Sequence, residues 1–270
     1  MNKYIIAFIL LSISLACESQ NKEITNDSSL NKKNNEQKDS THLIKNNTTS
    51  TNPLIKKLSE LKLTSDSNKS YGEVKRSIKI ILDNLKSKEI TEEEISKLFK
   101  KNLLNRIIPY WEGTKWAFEG HTSQPKKGEI ACGYFVSTTL KHIGLNLNRY
   151  KLAQQSPINE AKSLALNNEI IEIAKRTKEE NIHAIDSILK EEIYFIGFDQ
   201  GHVGYILKEK GQLYIIHSNY VGLNGVEIEK IDESEAFSHC DRYYIVPISS
   251  NLELLKCWIT SKEIKIIKSD

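Results

Sequence analysis

Apolar residues along this chain fall first at helical spacing and then in alternation. Between Tyr71 and Leu85, the positions Val74, Ile78, Ile81 and Leu85 form a helical stripe. Thr91 followed by Glu94 has the form of a capping box, and Ile95, Leu98, Leu103 and Leu104 carry the pattern on. A helical layer is therefore expected within 53–105. Pro109 to Gly128 is aromatic and glycine-containing, with Trp111, Trp116 and Phe118, and reads as a loop able to line a cleft. Ala131 to Ile143 returns to a helix through Phe135, Val136, Leu140 and Ile143, with Lys141 and His142 in its last turn and Gly144 as its cap. A further helix is expected from Ile158 to Arg176.

Downstream the period falls to two. Strands are expected at Ile193–Phe198, His202–Leu207, Gln212–His217, Gly225–Ile231 and Tyr243–Pro247, with turns at Lys208–Gly211 and Gly222–Asn224. Helices first and antiparallel strands second predict an α+β fold. If Lys208–Gly211 is a four-residue loop, Leu207 pairs with Gln212 and His202 lies directly opposite His217, with Cβ atoms about 5 Å apart. A slip of one residue would send the two imidazoles to opposite faces.

The N-terminal stretch differs from all of this. Lys3 and the apolar run Tyr4–Ile13 read as an export signal, too short to span a bilayer, which needs roughly 20 apolar residues. Leu15-Ala16-Cys17 resembles a bacterial lipoprotein cleavage box, with Ser14 in place of the usual aliphatic residue; Cys17 would then carry lipid. From there to Asn52 the chain is nearly all polar and cannot bury enough apolar surface to order itself. It predicts a disordered tether with a reach of roughly 30–35 Å. The expected organisation is a signal peptide at 1–16, a tether at 17–52, a helical region at 53–105, a catalytic domain at 106–250 and a C-terminal extension at 251–270. The protein is thus expected to be exported and lipid-anchored at the cell envelope, on the periplasmic face or at the outer membrane.

The net charge of +3, with acids and bases mixed, leaves no electrostatic footprint for nucleic acid. Besides Cys17 there are three cysteines, so at least one thiol stays unpaired in an oxidising compartment. Cys240 and Cys257 could bridge, leaving Cys132 free; three unpaired core thiols fit the sequence equally well.

Cys132 opens the helix after Ile130-Ala131, where the macrodipole and unpaired N–H groups favour a thiolate. His202 opens a strand in Gly201-His202-Val203-Gly204, and His217 lies in the next. Nucleophile, base and orienting residue in that order form the constellation of a cysteine amide hydrolase. Cys132 would attack, His202 would act as base and then acid, and His217 would fix the His202 tautomer, with Asn219 as the alternative orienter. The oxyanion would meet the Cys132 N–H and one further donor, for which Gln124 is a candidate. A lone cysteine on an apolar helix stripe is ordinarily a structural thiol, and a lone strand histidine ordinarily a packed one. It is their combination and order that point to chemistry. A zinc set of Cys132, His202 and His217 lacks any supporting ligand spacing, and no cofactor is expected.

These residues resemble the NlpC-type cell-wall cysteine peptidases, a branch of the papain-like superfamily. The resemblance runs from about Ile107 to Ile248. It is carried by Ala131-Cys132-Gly133-Tyr134-Phe135-Val136, His202-Val203-Gly204-Tyr205, Ile215-Ile216-His217-Ser218 and the aromatic segment Trp116–Gly120. It implies a papain-like core, with the catalytic helix packed on an antiparallel sheet, and peptidoglycan stem peptides as substrate. Ala131 and Gly133 stand where the family has Asp and Ser to hold a free stem-peptide amine, and Trp116 stands where a Tyr is usual. The resemblance therefore supports the reaction class more than the substrate. The expected activity is an endopeptidase or amidase working through a Cys132 thioester. The alternatives are a thiol-dependent acyltransferase and a lipoprotein that keeps the fold as a binding module.

Overall fold

A computed structural model of the chain describes residues 68–268. The signal-like segment, Cys17, the expected tether and the start of the helical region lie outside the described residues. Helix α1 (Tyr71–Leu85) begins at Ser70 and α2 (Glu92–Lys101) at Thr91, each with a reciprocal capping box to a glutamate three residues on. The face that α1 buries is Val74, Ile78 and Leu82, so its stripe centres on Leu82 rather than on Ile81. From α2 the chain continues through a π-helical stretch, Asn102–Ile107, into the single turn α3 (Ile108–Trp111). Pro109 there lacks an N–H for the helical ladder.

Helix α4 (Cys132–His142) is followed by Ile143 and by Gly144 at φ +110°, a backbone that L side chains rarely adopt. Next come α5 (Arg149–Ala153) and α6 (Pro157–Ala165). The helix expected to reach Arg176 stops early, because Leu166 and Asn167 both turn left-handed (φ +52° and +70°). Ile171–Ile173 instead forms an edge strand, β1, and Thr177 caps a helix absent from the sequence reading, α7 (Lys178–Ile188).

The remaining strands are β2 (Ile193–Phe198), β3 (His202–Glu209), β4 (Gln212–Asn219), β5 (Gly225–Lys230) and β6 (Tyr243–Pro247). The single turn α8 (Glu235–Ser238) precedes β6, and α9 (Leu252–Thr260) follows it. The six described strands make one open sheet in the order β1-β6-β2-β3-β4-β5, antiparallel throughout. The fold is therefore α+β, as expected. Val203, Tyr205, Ile216, Val226 and Ile228 face a core shared with α1, α2, α4 and α9. Ile206, Leu213, Ile215 and Phe198 face a second core with Ile185 of α7.

One expectation about register is corrected. The β3–β4 hairpin turns on two residues, Lys210 and Gly211, both at positive φ, so Leu207 pairs with Tyr214 rather than with Gln212. The pairing has moved by two residues, and a shift of two preserves the face each side chain occupies. Continued to the strand ends, it sets His202 across from Asn219 and Gly204 across from His217. The two imidazoles are diagonal neighbours on one face.

The C-terminal segment is part of the core. Trp258 of α9 is fully buried, donates from Nε1 to the Ile143 carbonyl at 2.6 Å, and meets Phe99 edge-on at 5.1 Å. Cys240 and Cys257 are both free and lie in different cores, with the sheet between them. No helix among the described residues is long and apolar enough to cross a membrane. Truncating Phe99 to alanine should cost about 3–5 kcal/mol of stability. A urea titration would read this as a lower midpoint with an unchanged slope.

Candidate active site

Cys132 is the first residue of α4, and Ala131 at the cap offers no side-chain acceptor to the helix N-terminus. Two side chains hold α4 against the sheet through three hydrogen bonds. Ser218 of β4 donates from its hydroxyl to the Ile130 carbonyl at 2.6 Å, and Tyr205 of β3 meets Thr139 Oγ1 at 2.7 Å and donates to the Val136 carbonyl at 3.1 Å. Gly133 is dictated by packing. A Cβ there would come within 2.8 Å of the Ala153 carbonyl oxygen and 3.1 Å of Glu160 Oε1, so the serine of the resembled family has no room.

Cys132 is half-buried. Burial pushes its thiol up to about 11, against the lowering pull of the Val203 and Gly133 backbone N–H groups, and the Glu160 carboxyl adds to the rise. Glu160 is itself held well above the usual carboxylate range by burial.

His202 is only 2% exposed. Its Nε2 lies 2.7 Å from His217 Nδ1, and its Nδ1 has no hydrogen-bond partner. Phe198 and Tyr220 pack against the ring, with centroids 5.0 and 5.1 Å away. Burial first, and then the neighbouring His217, depress the His202 pKa well below the ordinary histidine value, so the ring rests neutral. His217 is fully buried, and its Nε2 faces Glu229 Oε1 at 3.1 Å, within ion-pair distance although off the line of a hydrogen bond. Gly204 makes this arrangement possible: a Cβ there would stand 2.9 Å from His217 Cβ and 3.0 Å from the Ile216 carbonyl oxygen.

Cys132 and His202 line the same cleft, of about 750 Å³. Its walls carry Trp116, Phe118, Tyr134 and Tyr220, and Phe118 is 83% exposed. The aromatic loop holds its place through β5, with Gly113 N–H donating to the Val226 carbonyl and Val226 N–H to the Thr114 carbonyl, both at 2.8 Å.

The cleft thus brings together Cys132, His202 and Trp116, and His217 stands behind His202. Gln124 is exposed and does not line the cleft. Asn219 has its side chain engaged elsewhere, donating to Glu227 Oε1 at 2.6 Å and accepting the Val221 N–H at 2.9 Å. Among the described residues, the side chains able to hold a metal together are His217, Glu227 and Glu229, with ligand atoms within 4.8 Å of one another; Cys132 is not in that set. Tyr220 and Glu229 escaped the sequence reading. The alternation Val226-Glu227-Ile228-Glu229 did mark two acids on one face of β5, but which face depends on the pairing His217↔Glu227.

Set beside known proteins, the chain matches no family model, no curated protein and no solved structure.

Two outcomes follow from that geometry. Gly204→Ala should cost about 1–3 kcal/mol through overpacking and displace His217. Its signature in ¹⁵N spectra would be loss of the His202–His217 imidazole hydrogen bond in a chain that still folds. Thiolate absorbance at 240 nm, taken as the difference between the native chain and Cys132→Ser, should have its midpoint near 11. The proton is held more tightly in the folded state than in the unfolded one, where a cysteine titrates near ~8.5. The contribution to stability is therefore complete below about 8.5 and is lost as pH rises towards 11.

Proposed function

We propose that this protein is a cysteine hydrolase of amide bonds built on a papain-like core, with Cys132 as nucleophile and His202 as base. One observation carries the reading: a buried imidazole with one nitrogen tied to a second histidine, and the other unpartnered, lines the cleft that a helix-N-terminal cysteine also lines. A packed structural histidine would have both nitrogens satisfied.

Both groups rest neutral, so the reading favours base-assisted attack over a standing thiolate–imidazolium pair. His202 Nδ1 takes the thiol proton as the sulfur adds to the carbonyl carbon. The tetrahedral oxyanion meets backbone N–H groups of the uncapped first turn of α4. The imidazolium then protonates the departing amine, leaving a thioester. In the second half His202 deprotonates a water, which displaces the sulfur and releases the acid. His217 orients His202.

The proposed substrate is the peptide portion of peptidoglycan, reached from a lipid anchor at Cys17; this step rests on the family resemblance. One observation favours the binding-module reading instead: burial raises the Cys132 thiol rather than lowering it.

Digestion of purified peptidoglycan by the full chain, beside Cys132→Ala, separates the two. New muropeptides in mass spectra from the native chain alone are expected, and they would identify the bond cut. Absence of products from both, together with failure of Cys132 to react with a thiol-directed electrophile, would leave a binding module.

A further inference from the structure

Beyond the triad lies a fourth group in the same line. His217 Nδ1 is taken up by His202, and its other nitrogen faces Glu229 Oε1 at 3.1 Å. Glu229 is 7% exposed, and it lies on the β5 face that looks at His217. The second carboxylate on that face, Glu227, receives the side-chain amides of Asn219 at 2.6 Å and Asn224 at 3.4 Å. Of the two acids, Glu229 is the one whose oxygen stands against His217 Nε2.

A carboxylate can only accept. With Glu229 ionised, a single proton on His217 is drawn to Nε2, which leaves Nδ1 as an acceptor. His202 must then donate from its Nε2, and its own Nδ1 carries a lone pair. That Nδ1 is the atom left unpartnered in the structure.

Resting on the cysteine-hydrolase reading, we infer that Glu229 is a positioning residue: through His217 it fixes His202 as the tautomer with a basic Nδ1, and its charge stabilises the imidazolium formed when that atom takes the Cys132 proton. The line runs Glu229–His217–His202 across three adjacent strands, and of the three only His202 lines the cleft.

The test is site-resolved alkylation of Cys132 by iodoacetamide in the full chain, followed against pH by mass spectrometry for the native protein, His202→Ala and Glu229→Gln. Glutamine keeps the volume and one acceptor oxygen of Glu229, removes the charge and turns the second oxygen into an amide donor, so a purely steric role would leave the profile unmoved. The inference expects Glu229→Gln to react about tenfold more slowly at pH 7, the low end of what an opposite charge within about 4–6 Å does to a titrating group. In the alkaline limb, where the thiol ionises without a base, the two rates should agree within about twofold. An unchanged rate at pH 7 beside a slow His202→Ala would overturn the role of Glu229 alone. If His202→Ala alkylates as fast as the native chain, the hydrolase reading falls, and the tautomers decide Glu229. Imidazole ¹⁵N shifts of the native chain should show His217 protonated at Nε2 and His202 bare at Nδ1. A proton on His202 Nδ1 would overturn the inference without any substitution.

Discussion

The contact between His202 and His217, two imidazoles 2.7 Å apart and almost wholly out of water, constrains everything near it. Burying a polar ring without a partner costs several kcal/mol, which makes the unpartnered His202 Nδ1 the exception in this site. The sheet supplies partners by geometry. A two-residue turn brings β3 and β4 into a register that sets the rings diagonally, Gly204 clears the space between them, and β5 brings a carboxylate to the far end. The helix layer does the rest, because Tyr205 and Ser218, on β3 and β4, hold α4 by hydrogen bonds and so fix where its N-terminus stands. The position of Cys132 is a consequence of the same two strands that hold His202.

That dependence explains which parts of the molecule could be read from the chain. The capping box at Thr91, the span of α4 and the cores of five strands are local, written in residues within a turn of one another. The hairpin turn was expected to be two residues longer, because Lys208 and Glu209 are polar and look like turn residues; in the structure they continue the strand and pair with Leu213 and Gln212. A turn two residues longer displaces the register by two, and the face is the same because side chains alternate with period two. Edge strand β1 and helix α7 were lost for another reason. Leu166 in a left-handed conformation is a choice imposed by tertiary packing, and no propensity announces it.

Cys132 and His202 were legible as a pair because each sits at the first residue of a regular element, next to small residues. Glu229 and Tyr220 were not, since their relevance exists only across strands. Gly133 had the opposite fate: visible as a departure from the resembled family, it gains its meaning from Ala153 and Glu160, which occupy the volume a side chain would need. A substitution that looked like a lost substrate contact is also a steric requirement of how α5 and α6 close on α4.

The electrostatics of the site follow from its dryness. Burial disfavours both the thiolate and the imidazolium, which is why Cys132 is pushed up while His202 is pushed down. The two shifts oppose ion-pair formation separately, yet a proton passing from sulfur to Nδ1 creates both charges together, and in a low dielectric such a pair attracts strongly. A group that favours one member of the pair favours the transfer. The carboxylate behind His217 acts on the imidazolium side, and the N–H groups of Val203 and Gly133 act on the thiolate side. A substrate that fills the cleft removes further water and strengthens each of these interactions. On the proposed cysteine-hydrolase reading, the resting neutrality of the pair fits chemistry that begins only once an acyl group is in place, and it keeps the thiol in its less oxidisable protonated form until then.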